Sequence, residues 1–177
     1  FGDKPALCNG PTGNTESISY RQLWDDVQRI AGHLIDQGVG PGDRVAILSE
    51  SRAEWGVCFF AILHAGAIVV PMDAKMSDTE FGSVIRDSSP KVLFASKDFL
   101  DVATQLQAND SSIEHVFVVD MNYQGENFSS IQQIQSTTRL AERTPQPDDT
   151  AVIFYTSGTM GSSKGVMITF GNLNFQM

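Results

Sequence analysis

Between Tyr155 and Gly165 the chain reads Tyr-Thr-Ser-Gly-Thr-Met-Gly-Ser-Ser-Lys-Gly. Hydroxyls stand at Thr156, Ser157, Thr159, Ser162 and Ser163, glycines at Gly158, Gly161 and Gly165, and one ammonium at Lys164. Glycines let a backbone turn tightly and present its N–H groups outward. Successive outward N–H groups make a concavity for anions, and hydroxyls and an ammonium add donors. Such a set suits a polyphosphate. The surrounding charge agrees, since Lys164 is the one charged side chain from Thr150 to Met177 in a chain of net charge -9. The spacing differs from the phosphate loop in which Gly-Lys is followed by Ser or Thr, because Lys164 follows Ser163 and precedes Gly165. The alternative reading is a solvent-exposed Gly/Ser hairpin loop that binds no ligand, with Lys164 a solvated surface lysine; on the phosphate reading, little would hold Thr156 to Lys164 in one conformation without a ligand.

The elements around the loop determine where it can sit. Apolar runs at Ala151–Tyr155 and Val166–Ile168 flank it and predict two short buried strands. Upstream, short strands are expected around Ala6–Cys8 and Ser17–Ile18. Ser19 and Gln22 have capping-box spacing for a helix that Gly38 ends. Arg44–Leu48 is a continuous apolar strand of the kind that parallel sheets bury on both faces. Ser51 and Glu54 predict a second capping box and a buried, nearly all-apolar helix to His64, closed by Gly66, with a strand at Ala67–Val70. Ser77 and Glu80 predict a third box, followed by a strand at Val92–Ala95, a helix over 97–107, a strand at His115–Val119 and a weaker helix over 130–142. This alternation defines an α/β fold: a mainly parallel sheet with flanking helices. Ligands of such sheets gather at the carboxyl ends of strands, which is where the 156–164 loop falls.

Composition narrows the class further. The chain has 177 residues, 41% of them hydrophobic, enough for a sizeable core. Its acidity argues against nucleic acid or an anionic membrane as main partner. No apolar stretch approaches a membrane span and no signal segment is evident. Cys8 and Cys58, both in apolar surroundings, read as buried thiols of a reducing, cytoplasmic compartment rather than a disulfide framework. His33, His64 and His115 are too scattered to be metal ligands.

The loop resembles the phosphate-binding signature of the adenylate-forming (AMP-binding) superfamily, roughly Tyr-Thr-Ser-Gly-Thr-Thr-Gly-x-Pro-Lys-Gly-Val. It departs at Met160, where a hydroxyl donor is lost, and at Ser163, where a stiffening proline is lost. Further similarity runs through Ile18–Leu23, Gly42–Ile47 and Ile62–Asp73, in family order and spacing. Those stretches read locally as a cap, a strand and a helix end, so they build scaffold. Glu50-Ser51-Arg52 and Glu54-Trp55 are similar to the long-chain acyl-CoA synthetase branch.

The resemblance implies an enzyme that joins a carboxylic acid, a fatty acid by that branch, to ATP with Mg²⁺, releases pyrophosphate, and passes the acyl group to coenzyme A. Thr156, Ser157, Gly158, Thr159, Gly161 and Lys164 would cradle the β- and γ-phosphates; no catalytic acid, base, nucleophile or metal ligand is assigned. It implies that residues 1–177 are the first part of the N-terminal domain of the adenylate-forming fold, with the remainder of that domain and the C-terminal domain outside them. The start at Phe1 and a last helix begun at Phe170 fit a trimmed chain, which alone would be inactive and could self-associate through uncovered surface. Two other readings stay open: a non-catalytic module, or an adenylation domain or luciferase-like relative with a different second step.

Overall fold

The computed structural model describes residues 2–9, 16–120, 123, 125, 128–138, 140, 144–156 and 164–175. It begins with a small antiparallel pair, β1 (Pro5–Asn9) and β2 (Glu16–Ser19), in which Leu7 lies opposite Ile18. Alternation along β1 turns Leu7 toward the core and Cys8 outward. Cys8 is therefore exposed, against the expectation of a buried thiol, while Cys58 is buried and burial pushes its thiol pKa up.

Helix α1 (Tyr20–Asp36) starts with the expected box: the Gln22 N–H donates to Ser19 Oγ and the Ser19 N–H to Gln22 Oε1. Val27, Ile30, Ala31 and Leu34 form its buried stripe, and Gly38, at φ +75°, takes the left-handed turn after it. Strand β3 (Arg44–Leu48) leads to α2 (Ala53–His64) and β4 (Ile68–Met72). The box expected at Ser51 does not form, because Glu54 turns to the Arg52 guanidinium instead of closing a cap. Nor is α2 buried all round: Val57, Cys58, Ala61 and Ile62 are enclosed, and Phe60 faces outward. Helix α3 (Asp78–Ser88) has its full Ser77–Glu80 box. It gives way through Ser89, at φ 44°, to Pro90 and β5 (Val92–Ala95).

A single 3-10 turn at Lys97–Phe99 precedes α4 (Leu100–Asn109), followed by β6 (His115–Val118) and the two-residue β7 (Ser129–Ser130). The hairpin of β8 (Thr150–Thr156) and β9 (Lys164–Thr169) comes next, then α5 (Phe170–Phe175). The main sheet runs β7-β6-β5-β3-β4-β8-β9, parallel throughout except for the antiparallel β8–β9 pair. The chain steps from β3 to β4, then reverses across β3 to β5 and β6. Right-handed crossovers place helices of opposite step direction on opposite faces. Accordingly α1 and α2 cover one face, over Val45, Ile47, Val69 and Phe94. Helices α3 and α4 cover the other, over Ala46, Leu48, Val70 and Leu93. The expected mainly parallel α/β sheet is what forms.

The weaker helix expected over 130–142 is absent from the described part of that range. After β7 a turn at 131–133 passes into chain with no regular secondary structure over 134–138. The reason lies in its carbonyls. Arg29 of α1 donates to the carbonyls of Ile131 and Ile134, and the His33 ring lies 3.3 Å from that of Gln135. Ser136 and Thr138 hydroxyls donate to Asp36. Carbonyls engaged by α1, with Ile131 and Ile134 buried beneath, bind the segment across α1 as a strap.

Candidate functional site

The hairpin β8–β9 carries the ends of the predicted phosphate loop. Its register pairs Ile153 with Met167, Phe154 with Val166, Tyr155 with Gly165 and Thr156 with Lys164. Two of the six predicted site residues are thus cross-strand neighbours, exposed, at the point where the strands part. Side chains directly opposite in an antiparallel pair stand about 4.5–5.5 Å apart at Cβ, so the Thr156 hydroxyl and Lys164 ammonium can address one anion. Ser157, Gly158, Thr159 and Gly161, and with them the expectation of a loosely held unliganded loop, lie outside the described residues.

The strands are less buried than their apolar sequences predict. Ala151 and Val152 are enclosed, but Phe154 is 44% exposed, Val166 47% and Met167 67%. Val166 and Met167 lie on β9, which ends the sheet order among the described residues, and Phe154 shares the face of its cross-strand partner Val166. Strand β8 pairs with β4 at Val69↔Val152, whereas Phe154, Tyr155 and Thr156 find their backbone partners on β9. At the site end of the hairpin, Tyr155 ties the strand to the body in two ways. Its ring joins the core under α3 and α4, and its hydroxyl donates to Asp87 Oδ2 of α3 at 2.6 Å. Burial and the Asp87 carboxylate both push the Tyr155 phenol up, so it stays a neutral donor.

At the carboxyl ends of β3, β5 and β6 lies a charged cluster that sequence reasoning missed. Arg52 donates to Asp120 Oδ1 at 2.8 Å, to Glu54 at 3.1 and 3.2 Å and to Glu50 Oε1 at 3.2 Å. The Ser96 hydroxyl donates to Glu50 Oε2 at 2.6 Å, and the Lys97 N–H to Asp120 Oδ2 at 2.7 Å. Burial opposes the Arg52 charge, but Glu54 and Asp120 outweigh it and hold the guanidinium protonated. The alternating charges of Glu50 to Glu54 after an apolar strand were the available signal. Each of these contacts is internal, so the cluster ties three loops together.

A cavity of about 760 Å³ opens at the other end of the sheet, beside Ile68 and Thr150, the first residues of β4 and β8. Aromatic walls (Tyr20, Trp24, Phe60) and the acids Asp148 and Asp149 line it, a set ill-suited to a polyphosphate. Among the described residues no group of three histidine, cysteine or acidic side chains could hold a metal ion, and no helix is long and apolar enough to cross a membrane.

The described residues form a mainly parallel α/β sheet whose edge hairpin ends in the Thr156–Lys164 pair. The family described as "AMP-binding enzyme" matches residues 1–177, and the chain belongs to it. The chain is 32% identical over 181 aligned positions to the crotonobetaine/carnitine–CoA ligase of Escherichia coli O17:K52:H18, covering 99% of itself and 35% of that protein. Among solved structures it is similar to the anthranilate CoA ligase AuaEII in complex with anthranoyl-AMP, with TM-score 0.79 and 27% identity over 87% of this chain and 30% of that one. It is also similar to ATP-bound MatB from Rhodopseudomonas palustris, with TM-score 0.76 and 28% identity over 98% of this chain and 34% of that one. The chain spans about a third of the length of the relatives it matches.

Proposed function

We propose that residues 1–177 are the first part of the N-terminal domain of an ATP-dependent acid–CoA ligase, with the rest of that domain and a C-terminal domain outside them. In this reading the whole protein activates a carboxylic acid as an acyl-adenylate and transfers the acyl group to coenzyme A. Family membership supports the class, and the observation that carries the assignment to this site is the Thr156↔Lys164 pairing at the mouth of the loop.

The chemistry asks for charge control. A carboxylate oxygen attacks the α-phosphorus of ATP, the bond to the β-phosphate oxygen breaks, and pyrophosphate leaves as a polyanion. Such steps are accelerated by positioning and by electrostatic stabilisation of the departing charge. Lys164 supplies a cation and Thr156 a hydroxyl, and the backbone N–H groups and hydroxyls of Ser157, Gly158, Thr159 and Gly161 complete the cradle. The N–H groups, hydroxyl protons and ammonium suit the phosphate oxygens; Mg²⁺ would arrive as part of the substrate, MgATP, sharing its charge. No acid, base or nucleophile of this chain is needed, because the attacking groups belong to the substrates.

We assign a fatty acid as the substrate on the Glu50–Trp55 resemblance, while the relatives' names carry crotonobetaine, carnitine and anthranilate. We assign the cytoplasm on the two free thiols, Cys8 and Cys58. Residues 1–177 alone are proposed to be inactive and to self-associate through the exposed β8–β9 surface.

The test is Lys164→Ala in the full-length protein. A charge-assisted contact to phosphate is worth about 1.5–3 kcal/mol, so ATP–pyrophosphate exchange should slow by roughly ten- to a hundred-fold. Thioester formation from pre-made acyl-adenylate should hardly change, since pyrophosphate has already left. Equal losses in both half-reactions would point to misfolding. No loss in either would return Lys164 to the solvated surface.

A further inference from the structure

We propose that Tyr155, locked between Gly165 and Asp87, is a positioning residue that sets where Thr156 and Lys164 meet the triphosphate. The inference rests on the reading of the loop given above and adds to it a residue outside the phosphate contacts.

Three observations carry it. First, β8 is registered on β4 at Val69↔Val152, whereas Phe154, Tyr155 and Thr156 are registered on β9, so a side-chain tie at Tyr155 acts where the hairpin reaches the site. Second, the Tyr155 ring covers Gly165, its cross-strand partner. A Cβ at Gly165 would come within 3.2 Å of Tyr155 Cζ, 3.3 Å of its Cε1 and 2.9 Å of Ile153 Cγ2. An aromatic ring laid on a glycine in the facing strand holds the register of the pair. Register matters here because a slip of one residue would send Lys164 to the opposite face of the hairpin.

Third, the hydroxyl of Tyr155 reaches past the core to an acid on the surface of α3. Phenylalanine would fill the same volume, so the O–H bond to Asp87 at 2.6 Å serves something other than burial. Asp87 is itself anchored. Arg44 of β3 donates to the carbonyls of Ser88 and Ser89 at 2.6 and 2.9 Å, fixing the end of α3 to the centre of the sheet. A continuous path thus runs from β3 through Arg44, the end of α3, Asp87 and Tyr155 to the neighbouring pair Thr156 and Lys164. Displacements of about 1 Å at a positioned group can cost large factors in rate. Cutting this path removes the side-chain tie between α3 and the site end of the hairpin.

The experiment uses the full-length protein and ATP–pyrophosphate exchange, with KM measured separately for ATP and for the acid. Tyr155→Phe and Asp87→Ala should each raise KM for ATP by about three- to ten-fold, the scale of one lost hydrogen bond passed on only in part. KM for the acid should not move. The double variant should be no worse than the more impaired single variant, because both cut one path. Asp87→Asn, whose amide oxygen still accepts from the phenol, should keep a KM for ATP close to the parent value. An unchanged KM for ATP with a lowered melting temperature would overturn the inference, since packing alone would then explain the contact. Should Tyr155→Phe fail to fold, the two Asp87 variants, at an exposed helix position, give the same readout. Lys164→Ala is the reference: a loss there with none at Tyr155 and Asp87 overturns this inference alone, and no loss there overturns the loop reading with it.

Discussion

Replacing Arg52 by alanine separates a structural ion cluster from a functional one. The guanidinium side chain is 20% exposed, and its partners Glu54 and Asp120 are 11% and 13% exposed. Removing it leaves two largely enclosed carboxylates, with Glu50 beside them, facing one another without a cation. Breaking a buried pair by deleting one partner costs about 3–5 kcal/mol. Glu50, at 44% exposed, is screened by water and adds little, so the lower end of that range applies. A loss of about 3 kcal/mol should lower the melting temperature by roughly 6–12 °C at this chain length. Differential scanning calorimetry reads it directly. Arg52→Ala combined with Asp120→Asn should recover part of the loss, because one uncompensated charge is gone. In the full-length protein, ATP–pyrophosphate exchange measured well below the melting temperature should stay near the parent rate. A melting temperature within a degree or two of the parent would refute the reasoning about stability. An exchange rate reduced in the folded variant would show that the cluster serves the reaction.

The strap across α1 should loosen in acid. The hydroxyls of Thr138 and Ser136 hold the Asp36 carboxyl below its ordinary value of 3.8. That contribution is complete above the ordinary value and is lost as pH falls below it toward the lowered folded value, so amide protection at 136–138, taken relative to intrinsic exchange at each pH, should fall below about pH 4. Ile131→Ala, at a fully buried position, should destabilise the chain by about 2–5 kcal/mol in urea titration. Replacing Val166 and Met167 on the exposed edge strand by lysine should abolish self-association of residues 1–177 in analytical ultracentrifugation, since charged side chains guard sheet edges. A parent chain that sediments as a monomer at high concentration would contradict the proposed self-association.

Local signals carried much of this fold. Ser19–Gln22 and Ser77–Glu80 capped their helices because the partners of a capping box lie three residues apart, where no distant group need intervene. The apolar runs at 44–48, 92–95 and 115–118 became parallel strands because residues so uniformly apolar must be covered on both faces. Glycine at positions 38 and 66 took the left-handed conformation that ends a helix. The donors between Thr156 and Lys164 are contiguous, so the proposed phosphate chemistry is argued without knowing the fold.

What sequence reading could not reach depended on partners far along the chain. Glu54 abandoned its cap for Arg52, which Asp120 draws into a cluster from 68 residues away. The 131–138 segment lost its helix to Arg29, His33 and Asp36, about a hundred residues earlier, because a carbonyl already accepting from α1 has less to offer a helix of its own. Met167 is exposed for a reason no hydropathy pattern contains, namely its place on the edge strand β9, and Cys8 because packing chose the Leu7 face of β1 for the core. The pairing of Thr156 with Lys164 followed from two apolar strands and a loop. That Tyr155 beside it is moored to Asp87 was decided only when α3 packed against the sheet, since a hydrogen bond across 68 residues leaves no periodicity to read.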